Sequence, residues 1–265
     1  MTLAGSPAYD TIGRSYVSTR RADARIVDAL VSLLGLPPGS KIADVGAGTG
    51  NYTRALADRG FSMEAVEPSA VMRGQAANHP RVRWHEGVAE LIPLPDNSVQ
   101  GCVSTLAIHH FKNISQALRE MQRIAGNGPL VFLTFDYRQI KPLWLADYFP
   151  KLWEAAVRSL PPLQEIALEI KTSTQREIAI VPLLVPSDLT DLFLAAGWNR
   201  PHLYLDPAVR AGVSIFALGD SAEIEAGTAR LQNDLDDGTW DEQYGWLRGL
   251  QEIDAGYRFF CVTPR

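Results

Sequence analysis

The stretch KIADVGAGTGNYTRALADRGFSMEAVEPS, Lys41 to Ser69, decides the fold. KIADVG reads as a short strand, YTRALADRG as a helix stopped at Gly60, and SMEAVEPS as a second strand. Between the first strand and the helix the glycines fall as Gly46-x-Gly48-x-Gly50. Such a loop lets the backbone turn sharply and lets a ligand approach it without Cβ interference. Glu67 ends the second strand, where an acid can accept hydrogen bonds from ribose hydroxyls. The dinucleotide fingerprint Gly-x-Gly-x-x-Gly is not met, because Gly50 breaks the spacing and Asn51 stands at the last position. Taken alone, the loop could also be a ligand-free turn between a strand and a helix.

Working outward, Arg21 to Leu34 places Ile26, Ala29, Leu30, Leu33 and Leu34 on one helical face, ended by the Gly35–Gly39 stretch GLPPG. AVMRGQAANH is a helix, VRWHEG a third strand and SVQGCVSTLAI a fourth; ISQALREMQRIAG is again a helix and GPLVFLTFD a fifth strand. This alternation implies βαβ units, a parallel sheet and right-handed crossovers. Beyond Asp136 the rhythm changes. Residues 137–185 are rich in aromatic and helix-forming types and are expected to form an inserted helical cap or lid. SDLTDLFLAAG is expected as a helix, RPHLYLD as the sixth strand, residues 207–256 as a second insertion and YRFFCVTP as the seventh strand. The chain, residues 1–265, reads as one α/β domain.

Lys and Arg total 25 against 30 Asp and Glu, a formal charge of −5, which leans away from a nucleic-acid partner. The two cysteines, Cys102 and Cys261, both sit in apolar β-like runs, as buried thiols do in a reducing, cytoplasmic protein. No apolar stretch approaches the ~18 residues of a membrane span, so a soluble protein is expected.

DVGAGTG, then AVEPS, then GVAELIPLPDNSVQGCVSTLAIHHF, arrive in an order and spacing that resemble class I S-adenosylmethionine-dependent methyltransferases. The resemblance is to the UbiE-like and trans-aconitate-methyltransferase-like type, with a methyltransferase type 11 domain, and covers about Tyr9 to Asp136 plus the closing strands. It implies a Rossmann-like, doubly wound seven-stranded sheet in the order 3-2-1-4-5-7-6 with the last strand antiparallel. It implies S-adenosyl-L-methionine as cofactor, with S-adenosyl-L-homocysteine as product. Asp44 and the backbone of Gly46, Ala47 and Gly48 would hold the amino acid part of that cofactor. Glu67 would bind the ribose, with Pro68 and Ser69 beside the adenine and Val88, Ala89 and Glu90 along its edge. Thr105 and Leu106 would face the methionine portion, and Arg20 its carboxylate. Relatives often carry Asp where Val88 stands, so the adenine amino group would be read by backbone groups or by Glu90.

His109 and His110 follow the fourth strand, at the carboxyl edge where open α/β sheets bind ligands. Either imidazole is a candidate base for an acceptor N–H or O–H, His109 being favoured on the resemblance, and either could instead be a buried structural histidine. No metal site is expected, because adjacent histidines seldom point the same way and no carboxylate motif completes a set. Tyr9, Tyr16, Tyr137, Trp144 and Tyr148, with Phe149 and Trp153, could line an aromatic pocket for a small molecule or could simply be core. Arg210 and Ser214 join that candidate pocket by resemblance to substrate-side elements of trans-aconitate-like relatives. Methyl transfer to a small-molecule acceptor by a monomer or homodimer is the expected function. A methyltransferase acting on RNA or protein, a nicotinamide oxidoreductase and a non-catalytic nucleoside-binding protein are the alternatives.

Overall fold

The structure, a computed structural model, describes residues 19–139 and 143–264. Seven strands form one sheet: β1 (Lys41–Val45), β2 (Ser62–Val66), β3 (Val82–His85), β4 (Gly101–Thr105), β5 (Leu130–Phe135), β6 (Ile178–Pro186) and β7 (Glu252–Val262). Their order is β3-β2-β1-β4-β5-β7-β6, as expected. β1 to β5 run parallel, and β7 lies antiparallel to both β5 and β6. β1 has four of its five residues buried, Asp44 among them, because helices cover both faces of the sheet.

On one face, Ile42, Val103, Val131 and Leu133 pack under α1 (Ala24–Leu34) and α2 (Asn51–Asp58). Asp23 opens α1 by accepting from the Arg25 amide, and Gly35 closes it in the left-handed region. Ser69 caps the short α3 (Ala70–Gly74) through a bond from the Met72 amide. On the other face, Ala43, Val45, Cys102, Leu130 and Phe132 pack under α4 (Ile114–Ala125), which Asn113 caps.

The segment after β5 holds α5 (Leu145–Tyr148), α6 (Pro150–Ser159) and α7 (Leu163–Thr174). Its parts join two different hydrophobic clusters. Trp144, Tyr148 and Phe149 join the core on the α1 side, whereas Leu163, Ile166 and Ile170 of α7 join the core under α4. Residues 178–185, expected within the cap, belong to β6. Pro182 hid this strand from sequence reasoning, yet an edge strand tolerates a residue that cannot donate to a ladder, and β6 pairs with β7 alone. Conversely, the expected sixth strand RPHLYLD is a 3-10 turn over Pro201–Leu205. Pro201 fixes the backbone at its start, and the Tyr204 hydroxyl folds back to donate to the Leu194 carbonyl and accept from the Gly197 amide.

The helix expected over Ser187–Gly197 is likewise reduced to a 3-10 turn at Leu194–Gly197. Its earlier residues are held by long-range bonds: Asp191 to Arg20, Asp188 to Arg25, and the Leu192 amide to the Thr19 carbonyl. Between β6 and β7 follow α8 (Pro207–Ala211), α9 (Ser214–Ala217), α10 (Ser221–Asp236) and α11 (Thr239–Tyr244). α10 lies tightly against α5, where a Cβ on Gly227 would come within 2.5 Å of the Phe149 ring. Among the described residues no helix is long and apolar enough to cross a membrane.

Candidate functional site

The register of β1 with β2 and β4 brings Asp44, Glu67 and Thr105 to one edge of the sheet, above a cavity of about 520 Å³. Gly46, Gly48 and Gly50 all adopt positive φ. At Gly46 a Cβ would lie 2.6 Å from the Ala107 Cβ, and at Gly50 2.7 Å from the Trp84 ring, so these two positions need glycine for space as well as for conformation.

The bonds of this loop distinguish its ligand. The amides of Gly46 and Ala47 both donate to the Val66 carbonyl, at 2.9 and 3.1 Å. The Gly48 amide donates to Glu67 Oε2 at 2.9 Å, and the Gly50 amide to the Ala47 carbonyl at 2.9 Å. Four of the five amides from Gly46 to Gly50 are therefore engaged within the protein. A dinucleotide loop instead offers its amides to a pyrophosphate.

What the site presents is acceptors. Asp44 is buried; its Oδ2 accepts from the Thr53 hydroxyl at 2.5 Å, while its Oδ1 has no partner among the described residues. Burial, with the neighbouring Glu67 charge, pushes the Asp44 carboxyl up to about 6 against the opposing Thr53 bond. An ammonium group is the partner such a carboxylate lacks. Glu67 is buried and oriented by the Gly48 amide and, through Oε1, by the Ser69 amide at 2.9 Å. Two oriented carboxylates in one cavity fit a nucleoside that carries an amino acid.

Arg20, Asp44, Gly46, Ala47, Gly48, Glu67, Pro68, Val88, Ala89, Glu90, Thr105 and Leu106 all line the cavity. Ser69 lies behind the wall, fully buried as the cap of α3. Glu90 turns a carboxylate oxygen to the Asn113 amide at 3.0 Å, and the Val88 carbonyl accepts from the Leu91 amide at 3.1 Å. The Thr105 hydroxyl is buried without a partner among the described residues. Leu106 takes a left-handed φ of +56°, a strain of about 1–3 kcal/mol for a non-glycine residue, at the point where the fourth strand meets the cavity.

Of the histidine pair, the second member lines the cavity. His110 lines the cavity, whereas His109 sits behind it, its ring centroid 3.9 Å from His110 and 5.0 Å from Phe135. His109 Nδ1 is buried without a partner among the described residues. Desolvation and the neighbouring His110 hold His109 well below the usual imidazole value. Desolvation by the cavity walls pushes His110 down to about 4, although its outer edge stays exposed, so both rings are neutral near pH 7. No group of three metal-ligating side chains occurs among the described residues.

The described residues of the candidate aromatic pocket lie away from this cavity. Tyr9 and Tyr16 lie outside the described residues. Tyr137 is buried against Phe135 and Trp153, and Trp144 is fully buried, its indole donating to the Trp198 carbonyl at 2.8 Å. The Tyr148 hydroxyl donates to Asp234 at 2.6 Å beneath the Arg230 guanidinium, which lies 4.5 Å from the ring centroid. Arg210 donates to the Tyr204 carbonyl at 2.6 Å, and Ser214 opens α9. None of these five side chains lines the cavity. Their apolar mass goes into joining the two insertions to the sheet, the commoner use of aromatics at helical spacing.

Sequence reasoning missed several wall residues. Thr49, Tyr52, Met72, Phe111 and Lys112 line the cavity and lie within a few positions of the recognised motifs, which is the signal that could have found them. Asp191 also lines it and carried no such signal, being 171 positions from its partner Arg20.

A family model described as a methyltransferase domain matches residues 43–133. The chain is 34% identical over 121 residues to the ubiquinone/menaquinone biosynthesis C-methyltransferase UbiE of Rubrivivax gelatinosus, covering 45% of this chain and 47% of that one. It spans about half the length of the first curated relatives that it matches. It is 52% identical to a solved structure from Anabaena variabilis, a candidate methyltransferase of an antibiotic biosynthesis pathway, with a TM-score of 0.90 over 92% of this chain and 99% of that one. The [4+2]-cyclase SpnF, 16% identical with a TM-score of 0.57 over 98% of this chain and 99% of that one, shares the fold, so the fold alone does not decide the reaction. Motifs, sheet order, the matching family model and near-complete coverage of the 52% identical candidate methyltransferase agree: the chain belongs to the class I S-adenosylmethionine-dependent methyltransferases.

Proposed function

We propose that this protein transfers the methyl group of S-adenosylmethionine to a small-molecule acceptor in biosynthetic metabolism, within the reducing cytoplasm. The observation that carries the reading is the inverted polarity of the glycine loop. Four of its five amides are engaged internally, and it faces the cavity with Asp44, whose Oδ1 has no partner among the described residues, and the oriented Glu67. That arrangement suits an ammonium and a ribose diol and disfavours a pyrophosphate, which speaks against a nicotinamide cofactor. The free buried thiols of Cys102 and Cys261 are in keeping with a reducing setting.

When bound, the cofactor supplies an electrophilic methyl group on a sulfonium, whose electron pair stays on sulfur as the C–S bond breaks. The protein aligns the acceptor and excludes water. In this reading Glu67 accepts the ribose O–H bonds, Asp44 accepts from the ammonium, and Thr105 and Leu106 flank the reacting end. His110, neutral and on the cavity wall, takes the proton that an N–H or O–H acceptor releases, and His109 supports its ring from behind.

Incubating the protein with S-adenosylmethionine and a panel of phenolic, amine and quinol acceptors tests this. Formation of S-adenosylhomocysteine that depends on one acceptor class is the expected result. Formation only with RNA or protein added would overturn the small-molecule assignment.

A further inference from the structure

Arg20 reaches the cavity as part of a buried network that spans the chain. Its Nε lies 2.5 Å from Asp191 Oδ1, and its Nη2 donates to Asp191 Oδ2 at 3.2 Å. The Tyr52 hydroxyl donates to the same Oδ2 at 2.9 Å. Asn51 Nδ2 donates to the Arg20 carbonyl at 2.7 Å, and the Leu192 amide to the Thr19 carbonyl at 3.3 Å. Asp191 is 1% exposed, and Arg20, Asn51, Tyr52 and Asp191 all line the cavity.

A guanidinium is a planar fork of five donors, and side-on pairing through Nε and Nη2 fixes the orientation of that plane. An arginine on a long, rotatable stem loses much conformational freedom when a ligand must order it. Asp191 has already ordered it. The carboxylate also neutralises a cation that would otherwise sit buried at the wall, and Tyr52, whose own ionisation burial and the Asp191 charge suppress, fixes the carboxylate in turn. Asp191 belongs to the segment after β6, whose expected helix is displaced by these bonds.

We propose that Asp191 is a positioning residue for the cofactor's α-carboxylate: with Tyr52 it holds Arg20 in the plane that receives that carboxylate, and so joins the segment after β6 to cofactor recognition. This rests on the methyltransferase reading above. The role is confined to the amino acid end of the cofactor and leaves the nucleoside end to Glu67.

The test compares two probes, S-adenosylhomocysteine and 5′-methylthioadenosine, which keeps the nucleoside and thioether but lacks the amino acid. Both are titrated by calorimetry into the unaltered protein, Asp191→Asn, Asp191→Glu and Tyr52→Phe. Asp191→Asn keeps the volume and an acceptor for Tyr52 but loses the charge. It is expected to weaken S-adenosylhomocysteine about 10–100-fold, the scale of a hydrogen bond to a charged group, with 5′-methylthioadenosine unchanged. Asp191→Glu is expected to recover part of that loss. Tyr52→Phe is expected to lower the ratio of the two affinities about 2–10-fold, and it carries the test alone should Asp191→Asn not fold. A ratio that stays constant in the folded variants overturns the inference, because a merely structural residue would weaken both probes together. Failure of the unaltered protein to bind S-adenosylhomocysteine would overturn the methyltransferase reading and this inference with it.

Discussion

The loop after β1 and the aromatic seam around Trp144 treat their polar groups in opposite ways. In the seam the polar atoms of large side chains are mostly satisfied from within: Trp144 and Trp198 donate to the carbonyls of Trp198 and Val185, and Tyr148 and Tyr244 to Asp234 and Asp147, Trp240 Nε1 being an exception. At the sheet edge, Asp44 Oδ1 and Thr105 Oγ1 are buried with no partner among the described residues, and Leu106 is held in a strained conformation. Burying an unsatisfied polar group or straining the backbone costs stability, so such features persist where a ligand completes them. The seam's large side chains are packed and the loop's face the cavity, although by composition the seam looked the more like a substrate pocket.

The sharpest way to break this contrast is Trp144→Ala. It is expected to cost about 3–5 kcal/mol of stability in denaturant unfolding, while the folded fraction binds S-adenosylhomocysteine as before. Weaker binding with stability intact would return Trp144 to the pocket. Next in size, His110→Ala is expected to lower turnover about 100-fold with cofactor affinity unchanged. Because His110 becomes charged only as pH falls to about 4, turnover of the unaltered protein should show no imidazole step between pH 6 and 8. A step near 6.5 would contradict the neutral, desolvated ring.

Glu67→Ala should weaken S-adenosylhomocysteine binding by about 1–3 kcal/mol, since it removes the ribose acceptor and the anchor of the Gly48 and Ser69 amides together. The smallest effect expected is at Asp44. Its folded value of about 6 lies above the unfolded 3.8, so the charged form is penalised in the native state. That penalty is complete above pH 6 and disappears as pH falls below about 4. Asp44→Asn should therefore stabilise the cofactor-free protein by about 1–2 kcal/mol at pH 7.5, with no gain at pH 3.5. The same change should weaken S-adenosylhomocysteine binding, and in the unaltered protein that affinity should rise as pH increases through 6. A variant less stable than the unaltered protein at pH 7.5 would show that the unpartnered oxygen is satisfied in solution.

How much of this was legible follows from where the constraints lie. β1, β2, β4 and β5 are mostly buried parallel strands, each closed by its own loop, and β3 is a half-buried edge strand; the cavity walls from Asp44 to His110 follow from those loops. β6 was illegible because Pro182 is acceptable only once the strand is known to be an edge. RPHLYLD alternates like a strand, but the bonds that fold Tyr204 onto Leu194 and Gly197 lie outside any local pattern. Val88 in place of the family's Asp was visible, whereas the engagement of Glu90 by Asn113 was not. Asp191 is the extreme case. Nothing in DLTDLF marks it until the sheet brings it to Arg20 and Tyr52.

The most direct measurement is a pair of calorimetric titrations of the unaltered chain, one with S-adenosylhomocysteine and one with NAD. One-to-one binding of S-adenosylhomocysteine, with no heat from NAD, is the result expected of a loop whose amides are engaged and whose free groups are carboxylate acceptors. Binding of NAD in preference to S-adenosylhomocysteine would contradict it.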